Sequence, residues 1–353
     1  MEKKLTGKVQ TVLGLVDGDE LGFTLPHEHL LIDLTVRFQL MDESMSARVM
    51  SQKPVSLETI GWIRFHNFEN IDNLILDNEE MMIKEAALYK RAGGRTIVDV
   101  TNWGIGRDPR ALTRISRATG LNIVMGSGYY TIDSGCESRL KAGTEDEIVD
   151  EIVRDVMVGT DGICPGIIGE IGADSWPLDS DETKSLSASA RAQRATGASI
   201  SLHPGRLEES PLQILQILDK AGADLRRVVM GHIDRTAYSF ESMLQIAKTG
   251  CYLEFDQFGI EGYYPRRYGA FDTPNDAARV NYIIQLIDKG YLNQILISTD
   301  LYNKIRLTAY GGPGYAHILD NVIPWMRAKG IPEETINTIA VENPKRMLTF
   351  VSP

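Results

Sequence analysis

The chain has 353 residues, 43% of them hydrophobic, with 37 Lys plus Arg against 48 Asp plus Glu and a formal charge of -11. That length suits one barrel of alternating strands and helices, and the acidic balance leaves no basic field to attract nucleic acid. The first ten residues carry charges with no apolar run of signal-peptide length, and no later segment approaches a membrane span, so a cytoplasmic protein without membrane contact is expected.

In chain order, residues 1–22 read as a β-hairpin capping a barrel floor, with Gly18 in its turn, and Phe23–His29 reads as the first strand. Residues 33–79, with Pro54, Trp62 and His66, form a first connection long enough to suggest a functional or interface role. From residue 80 onward, helical periodicity alternates with short apolar or β-branched runs. Helix Met81–Ala92 precedes strand Thr96–Thr101, helix Ala111–Thr119 precedes strand Asn122–Tyr129, and helix Glu145–Val158 precedes strand Gly166–Gly172. Helix Glu182–Thr196, strand Ser199–His203, helix Leu212–Ala221, strand Arg227–His232 and helix Glu241–Lys248 follow. Strand Tyr252–Phe255, helix Asp276–Lys289, strand Gln294–Thr299 and helix Tyr315–Ala328 complete the repeat, and residues 331–353 supply a last helix ending near Phe350. Gly93, Gly197, Gly250 and Gly290 stand where helices should stop in a left-handed residue.

Eight strands alternating with helices predict an α/β fold, a (β/α)8 TIM barrel with an N-terminal β-hairpin and a C-terminal extra helix, as a single domain over 1–353. A doubly wound open sheet would bring a Gly-rich phosphate loop after its first strand, and Gly126-Ser127-Gly128 is too short to serve. Cys136, Cys164 and Cys251 are odd in number and widely spaced, which fits reduced structural thiols.

Four of the six histidines fall in three motifs, Pro26-His27-Glu28-His29, Leu202-His203-Pro204 and Gly231-His232-Ile233, each where a predicted strand runs out. Neutral imidazole is the commonest protein ligand for zinc and its neighbours. Side chains two apart on a strand point the same way, which groups His27 and His29 with Phe23 and Leu25, with Glu28 opposite. The same parity groups His203 with Ser199 and Ser201, His232 with Val228 and Met230, and Asp300 with Leu296 and Ser298. Glu170, inside the Gly166–Gly172 strand, is costly to bury without a cation or many donors. A lone strand-end histidine is more commonly a hydrogen-bonded core residue, and an Asp after Ser-Thr is commonly a helix cap. Six such groups at the ends of strands one, four, five, six and eight share one predicted rim, and that favours a metal site.

At these residues the sequence resembles the phosphotriesterase family of the amidohydrolase superfamily, closest to its phosphotriesterase-related branch. The matching stretches run in order from Gly7-Lys8-Val9-Gln10-Thr11-Val12-Leu13-Gly14 through Pro26-His27-Glu28-His29-Leu30 to Gly166-Ile167-Ile168-Gly169-Glu170-Ile171-Gly172. They continue with His203-Pro204-Gly205-Arg206, His232-Ile233-Asp234-Arg235-Thr236, Tyr310-Gly311-Gly312 and Glu342-Asn343-Pro344-Lys345. The resemblance implies two divalent metal ions, zinc foremost, one held by His27, His29 and Asp300 and the other by His203 and His232, with Glu170 bridging them. In the founding phosphotriesterases a carbamylated lysine bridges; Glu170 is shorter, so the strand backbone or the metals must shift, and no carbon dioxide is needed for assembly. A homodimer is also implied.

Two cations with Glu170, Asp300 and a bridging hydroxide leave a net positive centre, able to lower a bound water's pKa to about 7. The expected chemistry is attack of that hydroxide on a polarised carbonyl or phosphoryl centre, with Asp300 as the catalytic proton carrier. Arg206, Arg235, Lys304 and Arg306 follow strands five, six and eight and suggest an anionic group on a small-molecule substrate, although rim arginines often pair with neighbouring acids. Tyr129 and Tyr130 are candidates to donate to a carbonyl oxygen, and Trp103, Trp176 and Tyr302 to wall the pocket. A carboxylic ester or lactone is the first expectation. An N-acyl amide such as N-acetyltaurine, a phosphotriester or phosphonate ester, and a non-catalytic metal-containing binding protein are the alternatives.

Overall fold

A computed structural model describes residues 5–237, 239–260 and 273–353. Eight parallel strands lie side by side in sequence order: β1 (Thr24–Glu28), β2 (Thr96–Asp99), β3 (Asn122–Ser127), β4 (Ile167–Ala173), β5 (Ile200–Pro204), β6 (Val228–Met230), β7 (Tyr252–Phe255) and β8 (Ile295–Ile297). Between them run α1 (Glu79–Arg91), α2 (Pro109–Thr119), α3 (Glu145–Met157), α4 (Ser180–Thr196), α5 (Ser210–Lys220), α6 (Phe240–Ala247) and α7 (Asp276–Asp288), with α8 (Ile323–Ala328) after β8. The predicted (β/α)8 barrel is therefore present. Local chemistry explains the helix ends: Asn78, Asp108, Thr144, Asp179 and Asn275 each accept a backbone N–H of the first turn, and Gly120 and Gly197 end α2 and α4 in the left-handed region. Gly93, Gly250 and Gly290 also have positive φ, as their positions after a helix required.

Alternation along the strands builds two cores. Val98, Val100, Val124, Ile167, Val229, Tyr252 and Leu296 meet inside the barrel, sealed from below by Val9, Leu21, Met347 and Leu348. Their neighbours Ile97, Ile123, Ile168, Ile200, Val228, Leu253 and Ile295 face outward onto Leu112, Ile152, Leu186, Ile214 and Ile283 of the helices. Each such fully buried aliphatic side chain contributes about 1.5–3 kcal/mol. The floor comes from the hairpin Lys8–Thr11 with Gly14–Asp17 and from the terminal helical stretch Glu333–Leu348. Gly18 is outside the hairpin turn, which falls at Val12 and Leu13 because Thr11 pairs with Gly14; Gly18 instead opens a short 3-10 turn to Glu20. The long first connection holds helices Met45–Gln52 and Ile60–Ile63 and a two-residue antiparallel pairing of Ile32–Asp33 with Ile75–Leu76.

Side chains and single backbone bonds join β8 to β1. The Glu28 carboxylate accepts from the Ser298 hydroxyl (2.7 Å), the Thr299 N–H (2.8 Å) and hydroxyl (2.7 Å), and the Leu301 N–H (2.9 Å). The Asp300 N–H donates to the His27 carbonyl at 3.2 Å. This seam fixes His27 beside Asp300. The three cysteines are buried and none is in a disulfide. Among the described residues, no helix is long and apolar enough to cross a membrane.

Candidate metal centre

All six predicted ligands converge at the C-terminal end of the barrel, by a route that strict alternation does not predict. On β1 the register against β2 shifts between Leu25 and Glu28, so Pro26 and His27 together oppose Val98. This bulge turns His27 and His29 inward while Leu25 packs outward, which corrects the grouping of those histidines with Phe23 and Leu25. On β4 a second bulge between Ile168 and Ile171 sets Gly169 and Glu170 opposite Ser201, and it carries the short Glu170 side chain inward. His232 does not continue the phase of Val228 and Met230, which face outward; its φ of 54° leaves the extended region and swings the ring back into the barrel. His203 and Asp300 follow the expected parity with Ser201 and Leu296, Asp300 at a φ of 45°.

Glu170 sits among four imidazoles. Its Oε2 lies 2.9 Å from His203 Nδ1, 3.3 Å from His232 Nε2 and 3.4 Å from His27 Nε2, and its Oε1 lies 3.5 Å from His29 Nε2. Asp300 Oδ1 lies 3.3 Å from His29 Nε2 and 3.9 Å from His27 Nε2, while its Oδ2 accepts from Gln257 Nε2 at 2.7 Å. Ligand atoms of His27, His29 and Asp300, and of His27, Glu170 and His232, lie within 4.8 Å of one another.

Outer partners orient the rings. His27 Nδ1 meets Glu254 Oε2 at 2.8 Å, His232 Nδ1 meets Asp256 Oδ1 at 2.9 Å, and His29 Nδ1 meets Thr101 Oγ1 at 2.9 Å. The two carboxylates favour Nδ1–H and so turn Nε2 of His27 and His232 to the centre as an acceptor, the arrangement metal-ligating histidines require, while the Thr101 hydroxyl, able to donate or accept, holds the His29 ring in place. His27 Nε2 is buried with no hydrogen-bond partner, as expected of an atom that awaits a cation. Burial pushes His203 down to about 3, whereas at His27 burial is outweighed by the Glu170 and Glu254 carboxylates, which hold it well above the usual imidazole range. Burial opposes the charge of Glu170, yet His203 and His27 hold its carboxyl well below the usual range. Burial likewise opposes Asp256, and His232 and His27 hold it down. Four imidazoles and two carboxylates, buried together, form a donor set that fits divalent cations.

Sequence reasoning passed over Glu254 and Asp256. Both lie at alternate positions with inward Tyr252, a carboxylate pattern in an apolar strand that parity alone exposes.

A pocket of about 470 Å³, part of it open to solvent, lies above this cluster, lined by His29, Glu170, His203 and Asp300 together with Ile32, Leu34, Arg37, Phe68, Tyr130, Asp174, Arg206, Arg235 and Tyr302. Arg206, Arg235, Tyr130 and Tyr302 are therefore where the sequence suggested. Arg235 NH2 reaches within 3.2 Å of His203 Nε2, and the Tyr130 hydroxyl is 3.4 Å from the same atom. Five candidates lie elsewhere. Tyr129 donates to Glu151 and, with Trp103, lines a separate depression beside Arg139, because it is adjacent to Tyr130 and points the other way. Lys304 is paired with Asp72 at 2.6 Å, and Arg306 is buried, donating to the backbone carbonyls of Asp300 (2.6 Å) and Phe258 (2.8 Å). Trp176 borders an adjoining chamber. Arg37, unassigned from sequence, reaches in from the long first connection, donates to Asp174 (2.7 Å), Asp133 (2.8 Å) and Thr131 (2.9 Å), and lies over the Tyr130 ring. Its only sequence signal was the length of the connection that carries it.

Known proteins share this architecture. The N-acetyltaurine hydrolase of Dictyostelium discoideum is 44% identical over 98% of both chains, and that of Homo sapiens is 41% identical over 98% of this chain and 99% of its own. The crystal structure of a resiniferatoxin-binding protein from Rhodobacter sphaeroides superposes with a TM-score of 0.92 at 36% identity, covering 97% of this chain and 95% of that one. The family model described as the phosphotriesterase family matches residues 7–348. Matched over nearly its whole length, the chain belongs to the phosphotriesterase family.

Proposed function

We propose that the protein hydrolyses an N-acyl amide bond in a small molecule carrying an anionic group, with N-acetyltaurine as the first substrate to test. The observation that carries this reading is the shared cavity: two guanidinium groups, Arg206 and Arg235, line the same space as the imidazole and carboxylate cluster. Arginine forks suit sulfonate and carboxylate oxygens. Support for an amide ahead of the ester or lactone first expected from sequence comes from the name that relatives at 41 to 44% identity carry.

His27, His29 and Asp300 would hold one divalent cation, His203 and His232 a second, and Glu170 would bridge; zinc is the ion to supply first. When bound, such a pair supplies an activated water at neutral pH and polarises the substrate carbonyl. Asp300 takes the proton released on attack and delivers it to the departing nitrogen, which an amide requires because an unprotonated amine leaves poorly. Gln257 holds Asp300 Oδ2 at 2.7 Å and so keeps the carboxylate in one orientation. Tyr130, edge-on to His203, closes one wall, and Ile32, Leu34, Phe68 and Tyr302 give the cavity an apolar side for a small acyl group.

The test is a panel of N-acetyltaurine, N-acetylglycine, uncharged carboxylic esters, lactones and phosphotriesters, assayed on protein of measured metal content. The anionic N-acyl amides should give the highest kcat/KM. Ester or lactone turnover without amide turnover would overturn the amide reading. Metal-loaded protein inert to the whole panel would favour a binding protein instead.

A further inference from the structure

The stretch 256–260 after β7 is irregular, so its backbone polar groups need partners from other parts of the chain. Charged side chains from three other elements supply them. Asp234, just past β6, accepts the Gln257 N–H at 3.1 Å, and Asp276 of α7 accepts the Gly259 N–H at 2.9 Å. Arg306, beyond β8, donates to the Phe258 carbonyl at 2.8 Å, and Arg279 of α7 donates to the Ile260 carbonyl at 3.1 Å. Arg279 ties these anchors together. Its Nε donates to Asp234 Oδ2 at 2.7 Å, its NH1 donates to Asp276 Oδ1 at 2.8 Å, and its guanidinium lies over the Phe258 ring. The side chains of Arg279 and Asp234 are both fully buried. Such a pair is a weak source of stability, because desolvation offsets most of its attraction, and its orienting effect is the better account of it. What it orients is Gln257, whose Nε2 donates to Asp300 Oδ2 at 2.7 Å and lies 3.2 Å from Asp256 Oδ1.

We propose that Arg279 is a positioning residue of the hydrolytic site, acting through Asp234 and the 256–260 backbone on Gln257, and through Gln257 on Asp300. The proposal rests on Asp300 as ligand and proton carrier in the reading above. Arg279 does not line the pocket, so it acts without touching a substrate. With Oδ2 held by Gln257, Asp300 keeps Oδ1 toward His29 Nε2 (3.3 Å) and His27 Nε2 (3.9 Å). A loosened 256–260 stretch frees the carboxylate to rotate, and proton transfer at a set atom then loses its geometry. Lysine in place of Arg279 keeps the positive charge beside Asp234. It offers one ammonium where two nitrogens of a fork bond Asp234 and Asp276 separately, so it relaxes the anchors without stranding a buried carboxylate.

The experiment is a double-variant cycle on the full chain at matched zinc content, read as kcat and KM for N-acetyltaurine. Arg279→Lys and Gln257→Ala should each lower kcat about tenfold, a typical loss for outer partners, with KM little changed. The double variant should be no slower than the slower single one, because both substitutions act through Asp300. A merely structural Arg279 would lower the unfolding midpoint and leave kcat as it is. Wild-type kcat in Arg279→Lys, or losses that multiply in the double variant, would overturn the proposal. Should Arg279→Lys fail to fold, Asp276→Asn, which weakens the same fork from α7, takes its place under the same two outcomes. If the wild type cleaves no N-acetyltaurine, the amide-hydrolase reading falls by itself, and zinc affinity, measured by chelator competition, decides the cycle. A severalfold fall in each single variant, not enlarged in the double one, supports the positioning role. Unchanged affinity in Arg279→Lys, or losses that multiply, rejects it.

Discussion

His27 and His232 each rest one ring nitrogen on a carboxylate in or just beyond β7, at 2.8 Å from Glu254 and 2.9 Å from Asp256. Asp256 does more than orient the ring, since its Oδ2 also accepts the His232 backbone N–H at 2.7 Å and so holds the residue in its left-handed turn. Replacing Asp256 with Asn keeps the volume but removes the negative charge that favours Nδ1–H and raises the basicity of Nε2. Asp256→Asn should bind zinc about 10- to 100-fold more weakly, a typical effect for such outer partners, as read by competition with a chromophoric chelator. Unchanged affinity would mean that His232 is not a ligand. The candidate ligands themselves were legible because histidines are rare in this chain and four of the six stand at strand ends. Glu254 and Asp256 were equally legible by parity but are unremarkable as residue types. The basic candidates show the limit of residue type: Arg206 and Arg235 reach the cavity, while Lys304 and Arg306, similar in sequence setting, are bound to Asp72 and to backbone carbonyls.

At the level of the strand, the count and order of elements followed from periodicity, but the facing of the candidate ligands did not. Each bulge adds one residue against the neighbouring strand and so reverses the alternation beyond it. On β1 there was a signal: Pro26 cannot donate to a ladder, and proline inside a strand belongs at an edge or a bulge. On β4 the signal was Gly169, whose φ of 133° is reserved for glycine and which turns Glu170 into the site. Gly126 on β3 belongs to the same construction. A Cβ placed there would stand 2.0 Å from the Gly169 carbonyl oxygen, which is backbone and cannot swing aside. Gly126→Ala should therefore destabilise the protein by about 1–3 kcal/mol through overpacking and should also lower zinc affinity, because the clash pushes on the residue preceding Glu170. Urea unfolding and metal titration measure the two effects. Loss of stability with intact zinc affinity would show that the β4 bulge and the cation site are independent.

Across the whole molecule, the six candidate ligands come from the ends of β1, β4, β5, β6 and β8, and β1 and β8 meet at the Glu28 seam instead of a continuous ladder. Without a cation, Glu170, Asp300 and the four imidazoles are a cluster of polar groups taken out of water, whose desolvation cost works against closing the barrel. Cations held there would join both sides of the seam, through His27 and His29 from β1 and Asp300 from beyond β8, and would stabilise only the folded chain, because the unfolded chain disperses the ligands. A ligand that binds only the folded state adds RT ln(1 + [L]/Kd), about 2.7 kcal/mol at a hundredfold excess over Kd. For a chain of this size that corresponds to a rise of several degrees in the unfolding midpoint. Calorimetry on the full chain before and after exhaustive chelation should show the midpoint fall by that amount and return with zinc, with metal content measured at each stage. The fall should be smaller in a Glu170→Gln variant, whose neutral amide accepts a cation poorly. A midpoint that stays fixed while the metal is verifiably removed would refute the cation reading of the cluster, whatever the enzyme's activity.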